Sequence, residues 1–171
     1  MQLVPPRRSA TNSVASRTGL SPRYGHSFGT PRSVEELAQR PLLLYTYSNT
    51  PNELSFYRGD EMKRLDVTGL LESNDGQVLC AAALDGMGIL VQPKYILYDD
   101  LVAGRLMSVL DDWDLPRLTI SVALQSRPHM SAKVRTCIDF MVEHFDRMDY
   151  DRKWSSFDRA FANRPCTVSD V

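Results

Sequence analysis

Histidine and cysteine, the side chains that most often carry chemistry near neutral pH, are scarce: three of each in 171 residues. His26, His129 and His144 are far apart, and no Gly-x-Ser-x-Gly elbow accompanies them, so no activated nucleophile with a base in reach can be assembled. His129, between Pro128 and Met130 ahead of a helix cap, is expected to order a loop. His144 is expected beside the apolar stripe of a helix. Cys80, Cys137 and Cys166 are odd in number and form no Cys-x-x-Cys pair, which excludes a zinc ribbon and a disulfide framework and predicts reduced thiols. Cys80 and Cys137 have apolar neighbours on predicted helices and are expected to be small buried hydrophobes. Asp99-Asp100 and Asp111-Asp112 are adjacent pairs whose carboxylates diverge, so they read as surface acids. Gly86-Met87-Gly88 lacks the strand before it and the helix after it that a dinucleotide fingerprint needs, and the Walker pattern is missing. No catalytic residue, metal site or cofactor is expected.

An excess of charge of either sign is also lacking. The formal net charge is -1, with 24% charged and 43% hydrophobic residues, which gives no global drive toward nucleic acid or an acidic surface. No run approaches the eighteen or so apolar residues of a membrane span, and the polar start carries no signal core, so a cytoplasmic protein with no membrane partner is expected. The length suits one core with ragged ends.

Residues 1–28 hold Arg7, Arg8, Arg17 and Arg23 with no Asp or Glu, and no packed face can be drawn through them. They are expected to form a flexible basic arm. Ser33 and Glu36 have capping-box spacing, so a short helix is predicted before Pro41. Leu42 to Tyr47 reads as a strand, Ser48 to Asn52 as a turn, and Leu54 to Tyr57 as the start of another strand. Leu65, Val67, Gly69 and Leu71 alternate and predict one extended strand.

The segment Ser73 to Pro93 concentrates the most information. Ser73 to Asp75 can cap a helix, Gln77 to Leu84 is a helix-favouring run, Gly86 terminates it, and Ile89-Leu90-Val91 is a short buried strand closed by Pro93. The free N–H groups of the first helical turn would suit an anion or polar head group; Asn-Asp-Gly between apolar runs is equally a hairpin turn signal. Tyr95 to Ala103 predicts a helix capped at Gly104, Leu106 to Leu110 a strand, Asp111 to Pro116 a turn-rich separator, and Leu118 to Leu124 a strand. The last helix starts at Ser131 and places Val134, Cys137, Ile138, Met141 and Phe145 on one stripe expected to be buried. The pattern fades after Phe145, and residues 148–171 are expected to be a tail. Strands alternating with helices place the chain in the α/β class.

The residues Gly29 to Leu37, Ser73 to Gly76, Ala81 to Ile89, Asp99 to Leu106 and Ser131 to Phe140, in this order and spacing, resemble the effector-binding domain of LysR-type transcriptional regulators over about Gly29 to Phe145. The resemblance implies an α/β fold like the type II periplasmic binding proteins, with two lobes and a small-molecule effector in the cleft between them. Residues 29–147 would be a partial domain: the second lobe largely present, up to about Leu110, and the first lobe incomplete, with the last helix belonging to it. The resemblance further implies effector contacts at Thr46, Tyr47, Ser48, Asn74, Asp75, Gly76 and Pro93. The family's winged helix-turn-helix and linker helix have no counterpart here, so a truncated regulator is expected, with DNA reached only through that missing domain. The expected function is an effector-sensing regulatory module, with homo- or hetero-oligomers with LysR-type regulators as further partners. The alternative is a stand-alone small-molecule-binding or protein-interaction protein that modulates an intact regulator.

Overall fold

The structure is a computed structural model and describes residues 12–46, 50, 52–120 and 131–149. In chain order its elements begin with β1 (Asn12–Val14), β2 (Ser16–Leu20), α1 (Pro22–Phe28), α2 (Val34–Leu37), β3 (Leu42–Tyr45), β4 (Glu53–Arg58) and β5 (Glu61–Asp66). They continue with β6 (Gly69–Ser73), α3 (Gly76–Leu84), β7 (Ile89–Pro93), α4 (Lys94–Val102), β8 (Met107–Val109), β9 (Leu118–Ile120) and α5 (Ala132–Met148). The chain divides into two compact units, one formed mainly by Ala15–Leu118 and the other containing β1, most of β9 and α5.

The larger unit is built on a five-stranded sheet of order β6-β3-β7-β2-β8. Strand β3 runs parallel to β6 and β7, whereas β2 runs antiparallel to β7 and β8. Leu42, Leu43 and Leu44 of β3 are all buried, as a central strand covered on both faces requires. Helix α3 carries the chain from β6 over β3 to β7, and buries Leu79, Cys80, Ala82 and Ala83. Strands β4 and β5 form a separate hairpin. Its Arg58 and Lys63 stand 4.4 Å and 5.0 Å from the ring of Trp113, which is buried within the turn-rich Asp111–Pro116 segment.

Part of the expected basic arm is folded. Residues 12–28 form β1, β2 and α1, and β2 lies inside the sheet with all five residues buried. Ser-Arg-Thr-Gly-Leu has no apolar alternation, so its strand state comes from pairing on both edges, with Thr18 opposite Val91 and Val109. Arg17 is buried and lies 4.0 Å and 3.9 Å from the carboxylates of Asp111 and Asp114, so its charge is met by the tertiary fold. Residues 1–11 and 150–171 lie outside the described residues.

The single strand expected over Leu65–Leu71 is two. The ladder with β4 ends at Asp66, and β6 joins the main sheet from Gly69. Val67 between them is buried and donates its N–H to Asn52 at 2.8 Å, so the apolar alternation continues through a pivot where the chain changes sheets. The capping box at α2 is also modified: Ser33 accepts from Glu36 N–H at 3.2 Å, but the Glu36 carboxylate accepts from Arg32 N–H, one residue earlier than the usual partner.

Helix α5 begins at the expected cap, with Ser131 accepting from Val134 N–H, and continues through Met148. Its apolar stripe is not buried, however: Val134 is 44% and Met141 39% exposed, Cys137 is exposed, and Ile138 and Phe145 are half-buried. Amphipathic spacing identifies an apolar face but carries no information about what covers it. His144 lies beside this stripe, its ring 6.1 Å from that of Phe140.

Candidate functional site

The parallel strands β3 and β6 end side by side, with Tyr45 opposite Ser73 and Thr46 N–H donating to the Ser73 carbonyl at 3.0 Å. Directly beyond, the chain turns into α3. Ser73 Oγ accepts from Asp75 N–H at 3.0 Å, and Asp75 Oδ1 accepts from Gln77 N–H at 2.8 Å. The Asn-Asp-Gly triplet is thus a helix start and not a hairpin turn, because these two side chains accept from the backbone donors of Asp75 and Gln77 as α3 begins. Among the described residues, the N–H groups of Gly76 and Val78 have no hydrogen-bond partner.

Thr46, Glu72, Ser73 and Asn74 line an open depression of about 500 Å³ at this carboxyl end of the sheet, where open α/β sheets bind ligands. Asp75 and Gly76, the next two residues in the chain, start α3 and are not among the residues that line it. Pro93 is buried, pairs with Ser16 in the sheet and precedes α4, so it does not line the depression. Tyr47 and Ser48 lie outside the described residues.

One polar side chain buried beneath the start of α3 escaped the sequence reading. Gln92 is only 1% exposed, and its Nε2 has no hydrogen-bond partner among the described residues. Its Oε1 stands 3.2 Å from the position of a Cβ on Gly76, and Ile96 Cδ1 stands 2.7 Å from the same point, so a glycine lets α3 start against Gln92. The signal was a lone amide in the apolar strand Ile-Leu-Val-Gln-Pro.

A second polar cluster joins α3 to the end of α4. Cys80 Sγ donates to Asp100 Oδ2 at 3.2 Å, and Asp100 Oδ1 accepts from Arg105 Nε at 2.7 Å and Nη2 at 2.6 Å. The Asp100 side chain is 14% exposed, so it is an internal anchor and not the surface acid expected from its pairing with Asp99. Burial, with the bond to Asp100 second, pushes the Cys80 thiol up to about 12, which leaves it protonated and poorly nucleophilic. The buried Cys80 matches its sequence pattern; Cys137, expected to be buried, is exposed on α5. No cluster of three metal-ligating side chains occurs among the described residues.

The family model of the LysR substrate binding domain matches residues 19–146. The chain belongs to this family. Its match begins inside β2 and extends into the last turn of α5. Among curated relatives, the HTH-type transcriptional regulator PtxR of Pseudomonas aeruginosa is 29% identical over 125 residues, which cover 72% of this chain and 40% of PtxR. This LysR-family chain therefore matches well under half the length of that relative. Among solved structures, the full-length Vibrio cholerae virulence activator AphB, a member of the LTTR protein family, has a TM-score of 0.69 and 26% identity, covering 82% of this chain and 49% of AphB. The regulatory domain of CrgA from Neisseria meningitidis shares the fold, with a TM-score of 0.64 at 21% identity, covering 82% of this chain and 71% of that one. The fold is the type II periplasmic-binding-protein-like α/β fold of LysR-type regulatory domains. The relatives are transcriptional regulators and not enzymes. No helix among the described residues is long and apolar enough to cross a membrane.

Proposed function

We propose that this LysR-family domain binds a small-molecule effector at the depression formed by Thr46, Ser73 and Asn74, beside the start of α3. The observation that carries this reading is the joined ends of β3 and β6 beside a helix start with two N–H groups that have no partner among the described residues. A helix amino terminus favours electron-rich groups, and hydroxyl and amide side chains around it add directional hydrogen bonds. In this reading the domain is a non-catalytic sensor within a cytoplasmic transcriptional regulator. Its reach to DNA runs through a helix-turn-helix of the kind named in the relatives.

A thermal-shift screen of the full chain against small carboxylates, aromatic acids and amino acids tests the proposal. A ligand that binds only the folded state raises Tm by mass action. A hit whose shift disappears in Thr46→Val and Asn74→Ala supports this site, whereas hits that persist unchanged in both variants place binding elsewhere. A second reading, association with another LysR-type chain, is favoured by the exposed apolar residues of α5, with Phe140 at 63% and Val134 at 44%. A monodisperse monomer in light scattering at high concentration removes its support.

A further inference from the structure

We infer that a second copy of this chain covers the apolar face of α5, with the two helices antiparallel and related by a two-fold axis at Met141. This pairing rests on the association reading above and names its partner and orientation. Helix α5 runs for 17 residues and fully buries none of them. Helices in proteins owe most of their stability to packing an amphipathic face, so a helix with its stripe open to water needs a covering surface. Val134, Ile138, Met141, Phe145 and Met148 follow one another in alternating steps of four and three residues, the repeat of a seam between two helices. Three of the five are exposed and the other two half-buried.

The charges beside that seam select the partner. At about 100° per residue, Arg135 and Asp146 share one flank of the stripe and stand about 16 Å apart along the helix axis, too far to meet within one chain. Both are exposed, and neither side chain has an ion pair or hydrogen bond among the described residues, whereas Glu143 and Arg147, away from the seam, meet at 3.0 Å. A parallel copy would set Arg135 beside Arg135 and Asp146 beside Asp146. An antiparallel copy sets each Arg135 beside the other chain's Asp146, twice, and opposes the two helix dipoles favourably. The midpoint between Arg135 and Asp146 and that between Val134 and Met148 both fall at or next to Met141, so charge and apolar pattern specify the same axis. Such a face complements a copy of itself, and a two-fold closes at two chains.

Sedimentation velocity on the full chain over a concentration series tests the pairing. The parent is expected to dimerise reversibly. Arg135→Glu and Asp146→Arg, each alone, are expected to weaken the dimer roughly tenfold, because each turns both contacts from attractive to repulsive. The double variant carrying both changes restores the pairing with the charges exchanged, and Met141→Lys, which places two ammonium groups at the axis, abolishes it. All four positions change exposed side chains, so far-UV circular dichroism is expected to match the parent. A dimer indifferent to the single reversals or to Met141→Lys, or one the double variant fails to restore, overturns this pairing and leaves the association reading standing. A monomer at every concentration overturns both, and leaves the face to residues 150–171 or to a different protein.

Discussion

The carbonyl oxygen of Pro41 lies 2.6 Å from the point where a Cβ on Gly88 would stand, and the N–H of the next residue, Ile89, donates to that same oxygen at 2.9 Å. The close approach lets β7 enter the sheet beside β3, with Leu42 opposite Ile89. Because the obstructing atom is backbone, it cannot swing aside. Gly88→Ala is expected to destabilise the chain by about 1–3 kcal/mol, the usual cost of overpacking, read as a lower urea midpoint with an unchanged slope.

Asp75 accepts from Gln77 N–H through Oδ1 as the cap of α3. Asp75→Ala removes that acceptor and is expected to cost about 0.5–2 kcal/mol, whereas Asp75→Asn retains most of the capping. Urea unfolding of the two variants checks the order. Equal losses would mean that the carboxylate charge, and not the hydrogen bond, supports the helix.

Cys80 and Cys137 should react at very different rates. Cys80 is buried with its thiol raised to about 12, while Cys137 is exposed on α5. Iodoacetamide at mild alkaline pH, followed by mass spectrometry, is expected to label Cys137 first and Cys80 only on unfolding. A folded-state pKa above the unfolded value also gives a sign: the stabilising contribution of the protonated Cys80 is complete below the ordinary thiol range and is lost as pH rises from there toward about 12. Cys80→Ala is expected to flatten that alkaline loss.

Glu35 accepts from Lys63 at 2.7 Å, and this bond is the main cause that lowers its carboxyl to about 2. A depressed carboxylate contributes stability above its unfolded value, and that contribution fades as pH falls from the ordinary carboxylate range through about 2. In Lys63→Gln the titration midpoint of Glu35, followed by its side-chain 13C shift, is expected to return toward the ordinary range. A midpoint unmoved by the substitution overturns the assignment to Lys63.

Helix α3 was legible from its own letters, because cap, helix-favouring run and terminating glycine agree over Asp75 to Gly86. Strand β2 was not. Ser16–Leu20 has weak local preference, and only its two neighbours β7 and β8 decide its state. The break at Val67 was hidden for a related reason: alternation records which face is apolar, and both strands kept that alternation while joining different sheets. At the candidate site, the turn residues Ser73 to Gly76 were visible in sequence, while Gln92, beneath the start of α3, stood sixteen positions beyond Gly76 and drew no attention.

The sequence by itself determined the local starts and stops: the caps at Ser33, Asp75 and Ser131, the apolar run of β3, and the family pattern. Each rests on hydrogen bonds or periodicity within a few residues. The tertiary structure alone decided that Ser16–Leu20 is an interior strand, that Cys80 is tied to Asp100, and that Gln92 is buried against Gly76 with a donor that has no partner among the described residues. Those outcomes depend on groups far apart in the chain, and only their packing removes them from water and fixes which partners they have.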